Sequence, residues 1–422
     1  MNPVTAVVVG AGDRGRHVYG TYALEHPGEL RITAVAEPDE VRRREFSELH
    51  GIPPERSFAG YEELFAAPRL ADAALICTQD GMHYRPALLA KQAGYHVLLE
   101  KPISNTPEEC VRIWKDCAQT TAEGQIFAVC HVLRYTPFFL QIKKLLDEGA
   151  VGKLVNLQYE EDIGFYHFAH SYVRGNWRDE TASSPLVLAK SCHDLDILRW
   201  LAGSPVQSVT STGSLVEFTP ENRPAGAPEY CAQGCPAAQS CPYNAVRLYR
   251  WFAPAGFLRQ IVEMEDPTHD LDHALLHTGY GRCVYACGNN VPDHQAVGLH
   301  FENGVDAQLT ITAFSGRITR IVHIMGTRGE IQGDLAKNLI CLTDFATMKK
   351  TRIRLDVPAE GHHGGDRGLT GSFAAGVAGG GATLPTTLAQ SLESHLMAFA
   401  AEKARREHTV VDFKEFIRPF GL

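Results

Sequence analysis

The segment Thr5-Ala6-Val7-Val8-Val9-Gly10-Ala11-Gly12-Asp13-Arg14-Gly15 carries the architecture of the first part of the chain. Its opening residues form a continuous β-prone, largely apolar run that halts at glycine, the pattern of a strand buried on both faces in a parallel sheet. Gly10, Gly12 and Gly15 then take the G-x-G-x-x-G spacing at the mouth of a predicted helix from Arg16 to Glu25. In that order, strand, glycine loop and helix read as a dinucleotide site. The glycines allow the tight turn, the close approach of backbone to a pyrophosphate and the contact between helix and sheet, while the helix N-terminus supplies N–H groups and a positive dipole end. Asp13 and Arg14, inside the loop, join the three glycines as expected cofactor contacts.

The next apolar run, Leu30 to Ala36, ends in Glu37, 22 residues beyond Gly15, where a carboxylate takes the ribose hydroxyls. A carboxylate there repels a 2'-phosphate and favours NAD. Arg42, Arg43 and Arg44 on the following helix leave NADP open, their other reading being a solvated helix face. Strands expected at Ala71 to Cys77 and His96 to Leu99, with a helix from Tyr84 to Ala93 between them, continue the alternation of a doubly wound parallel sheet. Ligands gather at the carboxyl ends of such strands, which places Thr78, His83, Glu100 and Lys101 beside the cofactor. A further run, Gln125 to Cys130, delivers His131 and Arg134 to its own carboxyl end as substrate contacts.

The chain has 422 residues, 40 basic and 49 acidic side chains, and 44% hydrophobic content. Such a length calls for more than one domain, each with an ample core. The mild acidity argues against nucleic acid or an anionic membrane surface as the main partner. No apolar run reaches the roughly 18 to 20 residues of a membrane helix. With no basic leader before its apolar start, the chain is expected in the cytoplasm. The 11 cysteines are an odd number, and Cys77, Cys130 and Cys341 lie in apolar runs, so no disulfide framework is expected.

Glu100-Lys101-Pro102 directly after a strand, taken with the glycine loop and Glu37, resembles the glucose-fructose oxidoreductase / inositol dehydrogenase family (Gfo/Idh/MocA). Ser191-Cys192-His193-Asp194-Leu195-Asp196 and its continuation to Leu201 resembles that family's catalytic helix, and Ile324 to Glu330 resembles the turn between late strands of its second domain. The resemblance implies an α/β protein with an N-terminal Rossmann domain, a doubly wound parallel sheet over about residues 1–130. It implies a C-terminal α/β domain with an open, mostly antiparallel sheet over 131–422, and an active site between the two. It further implies that Lys101 reaches the substrate hydroxyl, that His193 helps move its proton, and that the protein is a homodimer or homotetramer.

The chemistry asks for the same groups. Oxidising a secondary alcohol removes a hydride from carbon and a proton from oxygen, so a side chain of useful pKa must sit within hydrogen-bond reach of that oxygen. The plainer readings are a surface salt bridge between Lys101 and Glu100, and a satisfied core histidine at 193. Many polyol dehydrogenases of the family carry an aspartate four residues before the helix histidine; here that position is Ala189. Lys190, three residues before His193, takes its place as a third catalytic candidate, with Asp194 expected near the substrate.

Between the strand at Leu154 to Glu160 and that helix, residues 164–178 gather Tyr166, His167, Tyr172, Arg174, Asn176 and Trp177 without clear periodicity. They read either as a loop gripping a hydroxylated ring or as a packed connection. Cys231, Cys235 and Cys241 fall within 11 residues of an insertion expected over about 220–245. They read as a structural zinc or iron–sulfur site, with Cys283 or Cys287 as a further ligand, or as free thiols. The segment His362 to Asp366 and the glycines of 376–381 read as flexible. The expected activity is NAD-dependent oxidation of a secondary hydroxyl on a sugar, sugar derivative or polyol. A redox glycosidase using bound NAD transiently is the alternative, and a non-catalytic NAD(P) sensor the third reading.

Overall fold

The computed structural model describes residues 2–117, 124–357, 360–379, 384, 386 and 388–422. Six strands form the first sheet: β1 (Val4–Val9), β2 (Leu30–Ala36), β3 (Ser57–Phe58), β4 (Ala73–Ile76), β5 (His96–Leu99) and β6 (Phe127–Val129). They are all parallel and lie in the order β3-β2-β1-β4-β5-β6. This is the doubly wound arrangement expected from the sequence, and its strand order reverses between β1 and β4, where such sheets hold their ligands. β1 and β4 are apolar because helices cover both faces; from Ala73 to Ile76 every residue is buried. The helix expected at Arg16 begins at Arg14, and its first turns, Arg14–Gly20, are π-helical before the α-helix Thr21–Glu25.

The second sheet has nine strands: β7 (Leu154–Asp162), β8 (Val206–Ser214), β9 (His294–Phe301), β10 (Asp306–Thr312), β11 (Thr319–Gly326), β12 (Gly329–Asp334), β13 (Leu339–Asp344), β14 (Lys350–Arg354) and β15 (Val411–Asp412). Their order is β14-β13-β12-β11-β7-β10-β9-β8-β15, antiparallel throughout except for the parallel β7–β10 pair. Alternation fixes which side chains point inward: along β7, Leu157, Tyr159 and Glu161 are buried while Gln158 and Glu160 are exposed. An acidic residue therefore occupies the inward register nearest the end of β7.

The two sheets are tied by the C-terminal helices. Helix Leu388–Glu407 packs on β8 and on helix Cys192–Ala202, and also on helix Pro107–Cys117 and β6 of the first sheet. Helix Gly365–Ala378 buries Leu369 and Phe373 against Val4, Ala6 and Val8 of β1. The glycine-rich stretch expected as a loop is thus helical up to Ala378; Gly380 and Gly381 lie outside the described residues. The connection from the end of β8 to the start of β9, which carries Cys231, Cys235 and Cys241, contains the helices Ala245–Trp251, Gly256–Met264 and Leu271–His277.

Candidate active site

The glycine loop leaves β1 with Gly10 at φ +93°, and a Cβ there would stand 2.6 Å from the carbonyl oxygen of Cys77 on the neighbouring strand end. A Cβ on Gly15 would stand 2.1 Å from the Gly10 oxygen, whereas one on Gly12 would meet only the tip of Arg42 at 4.0 Å. The loop is therefore packed where it meets the sheet and open at Gly12, the cradle a pyrophosphate needs. Buried Glu37 accepts the Ala11 N–H at 2.8 Å through Oε2 and the Asp39 N–H at 3.1 Å through Oε1. It lies at the end of β2 beside the loop, in place for ribose hydroxyls. The residues present fit a dinucleotide.

Arg14 has a different task from the one expected. Its Nε donates to Glu100 Oε1 at 2.6 Å and its Nη2 to Asp366 Oδ1 at 2.8 Å, so the guanidinium ties the glycine loop to the end of β5 and to the C-terminal segment. Burial opposes the charge on Arg14, but the two carboxylates raise its pKa well above the ordinary value. Glu100 also accepts from Tyr19 Oη at 2.5 Å and from the Lys101 backbone N–H at 3.1 Å. Burial pushes its carboxyl up, yet Arg14, Tyr19 and Lys101 outweigh that and hold it below the usual range. Asp13 is exposed on the loop. His83 is fully buried and bonds Pro102 O at 2.7 Å through Nδ1 and Thr78 O at 3.1 Å through Nε2, so it joins two strand-end loops. The Lys101–Pro102 peptide is cis.

Lys101 extends from the end of β5 to the second domain. Its Nζ donates to the Ala189 carbonyl at 3.0 Å and lies 5.9 Å above the Trp177 ring. The backbone oxygen of Ala189 therefore holds the ammonium. His193, buried at the first turn of helix Cys192–Ala202, has an Nδ1 with no partner. Burial, then the neighbouring Lys101, His131, His362 and Arg320, lower its pKa well below that of free histidine, so it rests neutral and able to accept a proton.

Lys190 does not share the His193 face as spacing suggested, because it falls in the break between helices Leu186–Ala189 and Cys192–Ala202. Its ammonium pairs instead with Glu161 of β7 at 3.3 Å. Arg320 of β11 contacts Glu161 at 2.8 Å and Asp194 at 2.9 Å, and Asp194 also accepts from Tyr159 Oη at 2.8 Å. Burial lowers the Lys190 pKa against the pull of Glu161, and burial raises that of Glu161 against Arg320 and Lys190. His167, beside them, is pushed well down by burial and then by Lys190.

The segment expected as an irregular loop is a series of helical turns, Phe165–Phe168, Ala169–Arg174 and Asn176–Arg178. Tyr166 and Phe168 are buried, and so is every residue of Ala169–Arg174, polar His170, Ser171 and Arg174 included. Asn176 donates to Gln79 Oε1 at 3.2 Å and Trp177 Nε1 to Asp80 Oδ2 at 3.2 Å, so the segment lies over the end of β4. Asp80 also accepts from Ser184 at 2.8 Å.

Two further expected substrate contacts are engaged elsewhere. Arg134 clasps Asp196 with both Nε and Nη2, at 2.6 and 2.7 Å, in a fully buried pair. Arg174 donates to Tyr243 O at 2.6 Å and Arg282 O at 2.8 Å, binding the insertion to the site segment. His131 is buried with its ring 5.8 Å from that of His193.

The metal expectation at Cys231, Cys235 and Cys241 is corrected. Among the described residues no three His, Cys, Asp or Glu side chains form a metal-holding group, and these cysteines are free thiols. They line a small cavity with Cys283 and Arg174, whose guanidinium lies 3.9 Å from Cys231 Sγ. A fixed cation already sits where a metal would need anionic ligands. Burial also pushes the Cys241 and Cys283 thiols up, which keeps them protonated.

Glu161, Arg320, Asp80, Tyr19 and His395 are the residues of this region that sequence reasoning missed. The strand alternation around Glu161 was the one signal available. His395 accepts the Ile103 N–H at 2.9 Å through Nε2 and bonds Ser391 O through Nδ1, and burial followed by His131 pushes it down to about 3.

An oxidoreductase family's NAD-binding Rossmann-fold domain matches residues 4–127, and its C-terminal alpha/beta domain matches residues 143–413. The chain belongs to the Gfo/Idh/MocA oxidoreductase family. YteT of Bacillus subtilis (strain 168), an oxidoreductase by name, is 24% identical over 313 residues, 72% of this chain and 70% of that one. Inositol 2-dehydrogenase 2 of Saccharopolyspora erythraea is 29% identical over 140 residues, 33% of this chain and 38% of that one. The 2,7-anhydro-N-acetylneuraminate hydratase of Mediterraneibacter gnavus is 27% identical over 225 residues, 51% of this chain and 54% of that one. The chain thus matches about half or less of the dehydrogenase and the hydratase. A levoglucosan dehydrogenase solved with NADH and levoglucosan superposes with a TM-score of 0.72 over 98% of this chain and 100% of that one, at 17% identity, a likeness of fold. Among the described residues no helix is long and apolar enough to cross a membrane.

Proposed function

We propose that this oxidoreductase oxidises a secondary hydroxyl of a sugar, sugar derivative or polyol with NAD as cofactor. The observation that carries the reading is the bridge from Lys101 to the Ala189 carbonyl, which brings the residue at the end of a Rossmann strand to the turn before His193. Gly10, Gly12, Gly15 and Glu37 would hold the dinucleotide, which when bound supplies hydride uptake. Lys101 would donate to the substrate oxygen and, as it passes an ammonium proton to neutral His193, take up the hydroxyl proton in its place. Tyr166, Tyr172 and Trp177 would offer ring faces to the C–H surface of the substrate. The open outer face of the nine-stranded sheet suits a homodimer or homotetramer, which light scattering would report. Incubation with a panel of inositols, aldoses and anhydrosugars, with NAD and NADP supplied separately, tests the reading. Growth of reduced-nicotinamide absorbance is expected with NAD, and no turnover on any alcohol with either nucleotide overturns it.

A second reading rests on the Lys190–Glu161 pair, a buried proton-transfer group on a different element from Lys101. In a redox-neutral cycle the substrate alcohol becomes a ketone, the adjacent C–H loses its proton to Lys190 in its neutral form, and the C–O bond one carbon further breaks. The leaving oxygen takes up a proton, water adds across the double bond formed, and the ketone is returned to the alcohol. The hydratases among the relatives are consistent with such chemistry. Aryl glycosides and anhydrosugars with NAD in D2O separate the readings: product bearing deuterium beside the oxidised carbon, with no net NADH, supports the cycle.

A further inference from the structure

His193 is 4% exposed, so a proton it receives needs a way to water. Beyond burial, the charges that act most on it are those of Lys101 at the end of β5, His131 after β6, His362 of the C-terminal segment and Arg320 of β11. Lys101 is the donor of that proton, and Arg320 keeps its charge at any working pH. His131 is 0% exposed, and its own neighbours are Asp196, Arg134, Lys101 and Glu100. His395, with its ring 5.5 Å from that of His131, has both nitrogens bonded to backbone.

His362 differs in every respect. Its side chain is 40% exposed, and its ring centre lies 6.3 Å from that of His193 at a tilt of 56°. One water molecule spans such a gap with two hydrogen bonds. Its Nδ1 meets Asp366 Oδ2 at 2.8 Å, which leaves Nε2 to carry a proton. Asp366 is in turn fixed by Arg14, which also holds Glu100 next to Lys101. The backbone that presents His362 is strained: Gly361, His362, His363 and Gly364 all have positive φ, at 55°, 49°, 52° and 83°. Non-glycine residues enter that region at a cost, and do so where surrounding contacts over-determine them.

We infer that His362, oriented by Asp366, is the proton exit of the active site, passing protons between His193 and bulk water. The inference rests on the proposed dehydrogenase reading and deepens it. During alcohol oxidation the Lys101 ammonium gives a proton to His193 and takes up the substrate's hydroxyl proton in its place; the His193 proton leaves through one water to His362 Nε2 and on to solvent, and the hydride is the one that the dinucleotide, when bound, would accept. Reduction runs the same path inward.

Two variants test it: His362→Ala, and His362→Gln, whose amide keeps a hydrogen bond to Asp366 but carries no titratable proton. Turnover in dilute buffer should fall about tenfold in both with KM for NAD changed less than twofold, and added imidazole should restore it in His362→Ala. A solvent isotope effect on kcat should rise in both. Histidine-selective NMR of the unliganded protein gives a readout that needs no substrate: exchange of the His193 ring N–H with water should slow about tenfold in His362→Gln. Unchanged exchange, or wild-type turnover in His362→Gln, overturns the relay. Absence of turnover by the wild-type protein counts instead against the dehydrogenase reading, and the exchange measurement still decides the relay.

Discussion

Replacing Lys190 with methionine isolates the most consequential buried charge in the site. Lys190 and Arg320 together balance Glu161 and Asp194; the lysine side chain is 13% exposed and Glu161 is fully enclosed. Lys190→Met leaves that group with one uncompensated negative charge. Breaking a fully buried pair costs about 3–5 kcal/mol. Here Arg320 still touches Glu161 at 2.8 Å and the lost contact is a long one of 3.3 Å, so about 2–3 kcal/mol is expected. The deficit also depends on pH. The folded-state pKa of Glu161 is already above its unfolded value, so its contribution is fully present below the unfolded pKa and is lost as pH rises through the folded one. Losing the lysine raises the folded pKa further. The variant's deficit therefore grows with pH, by up to about 1.4 kcal/mol per pH unit, between the wild-type and variant pKa values of Glu161. Urea unfolding of the apoprotein at a series of pH values between about 5 and 8 measures this directly. The double variant Lys190→Met/Glu161→Gln, which removes the charge, should recover about half of the loss and flatten the profile. A Lys190→Met deficit below about 0.5 kcal/mol and constant with pH would falsify the account of this cluster.

Gly15→Ala places a methyl group 2.1 Å from the Gly10 carbonyl oxygen and 3.2 Å from Val8 Cγ1, so helix and loop must separate; calorimetry should show NAD affinity reduced at least about tenfold, roughly 1.4 kcal/mol. Glu37→Gln keeps the Ala11 N–H acceptor but removes the charge facing a ribose; the ratio of NAD to NADP affinity should fall about tenfold, and an unchanged ratio would show that Glu37 does not select the cofactor. Arg174→Met leaves the buried carbonyls of Tyr243 and Arg282 without their donor; a loss of about 2–4 kcal/mol and early proteolysis between residues 231 and 282 are expected, whereas wild-type melting would mean the insertion is held by other contacts.

The first sheet was legible because its strands obey local rules. Glycine spacing, apolar runs and the acidic end of β2 all lie within 37 residues, and each is a statement about neighbours in the chain. The helical turns within 164–178 were not legible for a related reason: Ala169–Arg174 is buried throughout, with polar His170, Ser171 and Arg174 beside apolar Tyr172 and Val173, so no amphipathic period marks it. In the C-terminal segment glycine counts suggested a loop from Gly376, whereas helix Gly365–Ala378 continues through Gly376 to Ala378 and owes its order to Leu369 and Phe373 packing on β1, at the other end of the chain.

Of the site, Lys101, His193 and Glu37 stand on locally recognisable elements, but their partners do not. Arg14 is bound by residues 86 and 352 positions away, and Lys101 by a carbonyl 88 positions away. Composition cannot announce such pairs, since an arginine is satisfied equally well, on paper, by any of the chain's carboxylates. Ala189 is a case in point. Four residues before the histidine this chain offers Lys101 a neutral backbone oxygen, and its buried carboxylate Glu161 meets Lys190 instead. The two lysines are thereby held on separate partners, one neutral and one anionic. Lys101, His131, His362 and Arg320, whose charges act most on His193, are all basic. A proton that reaches the histidine finds no carboxylate among them to hold it there, and cationic neighbours favour its departure. A site built that way depends on the group that carries the proton onward from His193.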